Sequence, residues 1–387
     1  MSRGGRNTLS VTPRLLLGSG PSPVPERVLR ALAQPTVGHL DPQFGAIMDE
    51  VGEQLRRTFR TANRVAFPLS ATGSGGMQAM VDTLIAPGDR VVCGVHGLFG
   101  ARMADALARV GADVVAVEAE WGRAIPTEAL LEAWRGGRSR AMFVVHGETS
   151  TGVAMDLSGL ADAVHADGGL LLVDCVTSLA GHPIDIDAAG VDAAFSGSQK
   201  CLNCPPGLAP FTVAERATEN LQRRSWYFDL EAILGYWRDP SAGGARAYHH
   251  TAPVNMVYAL REALATVLEE GLEARWQRHA VAHEALRRAM SELGFERLAP
   301  EGEHLYPLLA VRVPEGVDDA AVRTALLTEH DIEVSGGLGV LAGRAWRIGV
   351  MGEGARPEPQ RALVTAVARE LGRDASGPLS ALDEAWA

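Results

Sequence analysis

The amino-acid sequence predicts an α/β protein: a large domain built on a mostly parallel sheet, followed by a smaller α+β domain. Three observations carry this expectation. Between residues 90 and 200, short apolar runs alternate with stretches of helical spacing, as in a parallel sheet with crossover helices. Gly169 to Asp174 is a continuous apolar run closing on a carboxylate, as a strand buried on both faces reads. Beyond about residue 253 the order changes to two long helices followed by strand, helix, strand and helix. That change marks a second, smaller unit from about residue 266.

Taken in order, residues 1–13 are polar and predict a flexible arm. The Gly- and Pro-rich segment Leu15 to Pro25 predicts a fixed, non-helical path. A short helix follows over 26–33, with Pro25 at its first turn. Residues 38–42 form a turn, and 44–59 carry helical spacing. The segment AFPLSATGSGGMQAM, 66–80, changes from strand character to a Gly-Ser loop and then to a helix. A loop of that kind gathers free backbone N–H groups and the positive end of a helix dipole, which suits phosphate. It is no dinucleotide fingerprint, because from Gly73 the third glycine of G-x-G-x-x-G falls on Gln78. It is no P-loop either, since Gly-Lys occurs nowhere in the chain. A plain tight turn is the alternative.

The alternating region then predicts strands over 90–93, 113–117, 141–145 and 169–174, with helices over 101–110, 127–135 and 157–165. A short run from Ala193 ends in Ser-Gly-Ser-Gln-Lys. Cys204-Pro-Pro-Gly breaks the chain, 215–240 is helical in part, and long helices are expected over 253–270 and 272–293. A strand over 308–313, a helix over 317–329, a strand carrying Arg347 and a helix over 357–372 complete the second unit. The resulting division is an arm to residue 13, a large domain over 14–265, a small domain over 266–373 and a polar, Ala-rich tail over 374–387.

Lys200 is the only lysine among the 36 lysine and arginine residues. Arginine stays protonated, whereas a buried lysine can lose its proton and attack a carbonyl. Any amine chemistry from a side chain therefore falls to Lys200. Asp174, at a predicted strand end, is a candidate partner for a ring nitrogen. A lysine that forms an imine, together with a carboxylate that keeps a pyridine nitrogen protonated, is what pyridoxal phosphate requires. The alternative for this pair is a helix-capping aspartate and a surface lysine. In open parallel sheets the ligand lies beyond the carboxyl ends of the strands. The Gly73 loop, Phe99, Thr149, Asp174 and Lys200 all follow such ends, which predicts one common pocket.

Bulk properties exclude other classes. A net charge of −11 argues against nucleic acid as a main partner. No run of about 18 apolar residues predicts a membrane span, and Leu15 to Leu17 is too short for a secretory signal, so a cytoplasmic protein is expected. The four cysteines read as reduced structural thiols. The lone Cys201-x-x-Cys204 pair and the adjacent His249 and His250 lack the further ligands a metal site needs, so no metal is expected.

Eight motifs in order are GSGPSPVP, SATGSGGMQA, GLFGAR, HGETSTGV, LLVDCVTSLAG, SGSQKCLNCPPG, YHHTAPVN and AWRIGVMG. Together they resemble the class V aminotransferases of the alanine–glyoxylate and serine–pyruvate type, over about residues 14–372. The resemblance implies fold type I of the pyridoxal phosphate enzymes, with a seven-stranded large-domain sheet and a homodimer whose sites lie at the interface. It implies Lys200 as the imine-forming lysine and Asp174 as the pyridine-nitrogen partner. Phe99 matches the aromatic ring stacked on the cofactor. Gly73, Ser74 and Gln199 match phosphate ligands, and Thr149 matches a hydroxyl that touches the cofactor. Tyr248 and Thr251 match residues that reach the phosphate of the partner's cofactor. Arg347 matches the arginine that holds the substrate α-carboxylate, and Gly20 lies in a segment lining the substrate pocket. Departures from the family pattern, such as GSGP where GPGP is frequent, bear on the substrate side chain.

The reaction so implied is ping-pong transamination from alanine or serine to glyoxylate or pyruvate. One rival on the same fold is a lyase of the cysteine desulfurase kind, which needs a nucleophilic cysteine in the small domain; this chain has none after Cys204. Another is an aminotransferase for an aminophosphonate or for pyridoxamine. A cofactor-binding regulator without turnover would need no catalytic lysine.

Overall fold

A computed structural model describes residues 10–237 and 246–387. Most of the arm expected over 1–13, and the end of the partly helical 215–240 stretch, lie outside the described residues.

Seven strands form the large sheet: β1 (Val65–Leu69), β2 (Arg90–Val95), β3 (Asp113–Glu118), β4 (Ala141–Val145), β5 (Leu170–Asp174), β6 (Ala193–Phe195) and β7 (Ala209–Val213). Their spatial order is β1-β7-β6-β5-β4-β2-β3. All pairings are parallel except the two made by β7, which runs antiparallel to β1 and β6. Every residue of β4 and β5 is buried, because helices cover both faces; this is why these strands read as unbroken apolar runs. The register places Asp174 beside Val145 on one side and Phe195 on the other, so the carboxyl ends of β4, β5 and β6 finish level. Whatever follows those three residues is delivered to one edge of the sheet.

Two helix starts depart from the sequence expectation, each for a local reason. The helix expected from Ala101 begins at Leu98 and includes Phe99, because side chains of a neighbouring loop satisfy its first N–H groups. The helix expected from Leu157 begins at Leu160, after Gly159 at φ +76°.

A second apolar cluster belongs to the C-terminal region. It packs the helices Leu272–Glu292, Asp319–Glu329 and Pro357–Glu370 against a four-stranded antiparallel sheet of Glu296–Arg297, Leu308–Arg312, Ala345–Gly349 and Ser335–Gly336. The N-terminal segment attaches here as well. Leu15–Leu16 pairs in parallel with Ile332–Glu333, and Leu17 is buried in this second cluster. The stretch read as a polar tail contains a further helix, Ser376–Trp386, which packs on Leu272–Glu292 and buries Leu382 completely.

Candidate active site

The residues that follow β4, β5 and β6 meet the turn after β1 and the helix after β2 around one cavity of about 160 Å³. Its wall includes Gly73, Ser74, Phe99, Thr149, Asp174, Gln199 and Lys200. Seven of the residues singled out from the sequence therefore converge. Asp174 closes β5 and is 7% exposed. Its Oδ1 accepts the Val176 N–H at 2.8 Å, and among the described residues no other hydrogen bond reaches the carboxylate. Burial pushes it up to about 7, against the pull of that N–H. A carboxylate so short of partners is suited to a cation placed against it.

Lys200 is 8% exposed, and its Nζ donates to the carbonyl of Ser19. Burial first, and then the charge of Arg347, brings it down to about 8. The N-terminal segment is tied down against this lysine: the Ser22 N–H donates to the Gln199 carbonyl at 2.9 Å, and Ser22 Oγ donates to the Lys200 carbonyl at 2.6 Å. Gly20, at φ +105°, must be glycine for two reasons. An L side chain rarely adopts that angle, and a Cβ would stand 2.8 Å from Lys200 Cδ and 2.9 Å from Nζ.

Gly73 and Ser74 begin the helix Gly73–Leu84, whose cap residue Thr72 makes no side-chain hydrogen bond to it. Among the described residues the N–H groups of Gly73 and Ser74 have no protein acceptor, as an anion site requires, while that of Gly75 already donates to the Thr72 carbonyl at 2.7 Å. Gln199 lines the same cavity, and its amide has no hydrogen-bond partner for the buried Oε1 among the described residues. Thr149 Oγ1 is hydrogen-bonded to Thr177 Oγ1. Phe99 packs in the first turn of its helix, with the Arg102 guanidinium 4.8 Å from the ring centroid.

Arg347 lies on the strand Ala345–Gly349 and is 8% exposed. Its Nε donates to the Gly336 carbonyl at 2.9 Å, and among the described residues no carboxylate pairs with it. Tyr248 and Thr251 do not line this cavity; both are exposed, and the Tyr248 ring stands 5.2 Å from that of His39. Among the described residues no cluster of His, Cys, Asp and Glu is placed to hold a metal.

The sequence reading missed Arg102, Glu148 and Ser19. Arg102 was detectable from helical spacing, three residues after Phe99. Glu148 stands in HGETSTGV, but its contacts are some 50 positions away in sequence and carry no local signal.

The cavity fits pyridoxal phosphate on the chemistry of its walls. It offers one primary amine, one partner-short carboxylate, an aromatic face and an anion-binding helix start, each on a different element. Comparisons with known proteins agree. The family model described as aminotransferase class-V matches residues 14–349. A solved alanine–glyoxylate aminotransferase from Nostoc sp. is 44% identical with a TM-score of 0.91, covering 95% of this chain and 98% of that one. A solved ureidoglycine–glyoxylate aminotransferase from Bacillus subtilis is 34% identical with a TM-score of 0.94, covering 98% and 100%. An alanine–glyoxylate aminotransferase of Drosophila melanogaster is 37% identical over 360 residues, 91% of each chain. The amine, the carboxylate and these likenesses converge on one conclusion: the chain belongs to the class V aminotransferases and is a pyridoxal phosphate-dependent transferase of amino groups.

Proposed function

We propose that the chain transfers an amino group from a small amino acid, alanine or serine, to glyoxylate or pyruvate, as a cytoplasmic homodimer with its active sites at the subunit interface. The observation that carries this reading is the cavity in which the only lysine of the chain and the partner-short Asp174 face one space, with Arg347, which no carboxylate among the described residues pairs, nearby. The names of the similar proteins point the same way, since each includes glyoxylate.

Bound pyridoxal phosphate would supply an aldehyde that takes up the amino group and a ring that spreads the electron pair left on the substrate Cα. Asp174 would hold a proton on the ring nitrogen, and its burial makes that charge pairing strong. Gly73, Ser74 and Gln199 would hold the phosphate, and Thr149 would touch the cofactor. Phe99 would cover one face of the ring, apolar and unable to donate a proton. Arg347 would hold the α-carboxylate by a bidentate pair, which fixes the Cα–H bond relative to Lys200. Lys200 Nζ, in its unprotonated form, would take the proton from Cα. Gly20 would leave the amine room to move.

Tyr248 and Thr251 would reach the phosphate in the partner's site. Support comes from an exposed apolar patch: Leu40 is 56%, Trp226 72% and Tyr248 62% exposed. The patch adjoins the phosphate loop, because the Tyr227 hydroxyl donates to the Ser70 carbonyl at 2.8 Å.

The test is an absorbance titration of the cofactor-loaded protein with single amino acids. Alanine or serine should convert the visible cofactor band to a shorter-wavelength one, and glyoxylate or pyruvate should restore it. Lys200→Ala should fold but lose turnover; full turnover in that variant would end the proposal. Ureidoglycine belongs in the donor panel because the (S)-ureidoglycine–glyoxylate transaminase of Bacillus subtilis is 35% identical over 377 residues. A response to ureidoglycine alone would reassign the donor and keep the acceptor.

A further inference from the structure

We propose that Glu148 is the positioning residue for the cofactor-stacking ring of Phe99, acting as the anionic cap of the helix that carries it. The inference rests on the reading of the cavity as a pyridoxal phosphate site. Glu148 is fully buried at 0% exposure. Its Oε2 accepts the N–H of Phe99 at 3.0 Å and the N–H of Gly100 at 3.2 Å. Its Oε1 accepts the N–H of Ser150 at 3.0 Å and the Ser150 hydroxyl at 2.6 Å. Ser150 Oγ in turn accepts the N–H of Leu98 at 2.9 Å. The first three N–H groups of the helix Leu98–Arg109, which its own cap residue Gly97 cannot satisfy by a side chain, are thus all bonded to this one pair of side chains.

The consequence is geometric. A helix start frays unless its donors are satisfied, and Phe99 is the second residue of this helix. A carboxylate near a helix N-terminus is also favoured by the helix dipole, which draws the two closer. Gly97 makes room for the cap: a Cβ there would lie 2.4 Å from Glu148 Cγ and 2.4 Å from Ser150 Oγ. The Arg102 guanidinium, which lines the same cavity, lies 4.8 Å from the centroid of the Phe99 ring. The ring is therefore fixed in a plane before any ligand arrives, which lowers the ordering cost of stacking on it.

All four contacts to Glu148 are donors, so a carboxylate fits and a primary amide does not. In Glu148→Gln one oxygen becomes an NH₂ facing N–H or O–H groups, which frees the first turn. The expected result is a roughly tenfold weaker dissociation constant for pyridoxal phosphate, read by absorbance or circular dichroism of the bound cofactor. Ser150→Ala, which removes only the Leu98 acceptor and one donor to Glu148, should weaken binding in the same sense but less. Phe99→Ala separates positioning from plain structural support. If Glu148 acts through the ring, the Glu148→Gln loss disappears in the Phe99→Ala background. A loss of equal size in both backgrounds would overturn the proposal. Should Glu148→Gln fail to fold, the same cycle with Ser150→Ala decides the matter. Tight binding that Phe99→Ala leaves unchanged would refute Phe99 as the stacking ring while leaving the Lys200 reading intact.

Discussion

Lys200 shows how an environment turns a side chain into a reagent. An ordinary lysine is almost wholly protonated at pH 7, whereas an amine brought down to about 8 is neutral in roughly a tenth of molecules. Only the neutral form attacks a carbonyl. The rate at which cofactor-free protein takes up pyridoxal phosphate should therefore rise with pH and level off above about pH 8. Stopped-flow absorbance across pH 6 to 10 would show this; a rate still climbing at pH 10 would mean an unperturbed amine. The place of Lys200 in the cavity was legible from sequence because the residue is unique in the chain and ends a small-residue turn. Asp174 was legible because it closes an apolar run. Glu148 was not, since its role consists of contacts to backbone N–H groups on another element, and backbone donors leave no mark in a sequence. Tyr248 and Thr251 lie on the surface of the single chain, so nothing within one chain distinguishes them from solvent-facing residues.

At the scale of elements, the strand ends decide where chemistry can happen. The apolar runs of β4 and β5 matched their strands because burial on both faces removes any ambiguity of period. Helix starts were less legible: the start at Leu98 depends on a cap supplied from the β4–β5 connection, and no window of local sequence contains both partners. The C-terminal helix Ser376–Trp386 was read as a tail for a related reason. Its buried side chains are only Pro378 and Leu382, and Leu382 becomes meaningful only against the face of Leu272–Glu292 and the neighbouring Pro357–Glu370, where Trp386 Nε1 also donates to Gln360 Oε1 at 2.9 Å. Leu382 is completely buried there, so Leu382→Ala removes packed volume from the second apolar cluster. We expect a loss of about 3 kcal/mol in stability by denaturant unfolding, with cofactor affinity unchanged because the cavity belongs to the other cluster. Unaltered stability would mean that the helix merely rests on the surface.

Across the whole molecule, the two apolar clusters are joined by a row of buried and half-buried aromatic and imidazole rings. His146 follows β4, and its ring centroid lies 5.5 Å from that of His182; His182 lies 4.3 Å from Tyr306, Tyr306 5.6 Å from His304, and His304 4.8 Å from His283. His283 and His279 stand on the helix Leu272–Glu292, so the row runs from the large sheet into the C-terminal unit. Burial holds His146 and His96 down to about 4 and His279 and His283 down to about 3, and neighbouring positive groups such as Arg275, Arg278 and Arg297 add to the effect on the last two. Glu270 and Glu284 oppose it weakly. The direction of the pH effect follows from these shifts. The unfolded chain takes up protons on these histidines near pH 6.5, while the folded protein does so only near pH 3 to 4. Folding stability is therefore intact above pH 6.5 and falls as the pH drops below it, by roughly 2 kcal/mol per histidine at pH 5. Asp174 and Glu148 act in the opposite sense, because a carboxyl raised by burial favours the folded state on acidification, but they are two groups against the four histidines. Thermal melting of the cofactor-free protein should therefore come at least about 5 °C lower at pH 5 than at pH 7. A melting temperature equal or higher at pH 5 would mean that water reaches the imidazoles and that the junction between the two clusters is open.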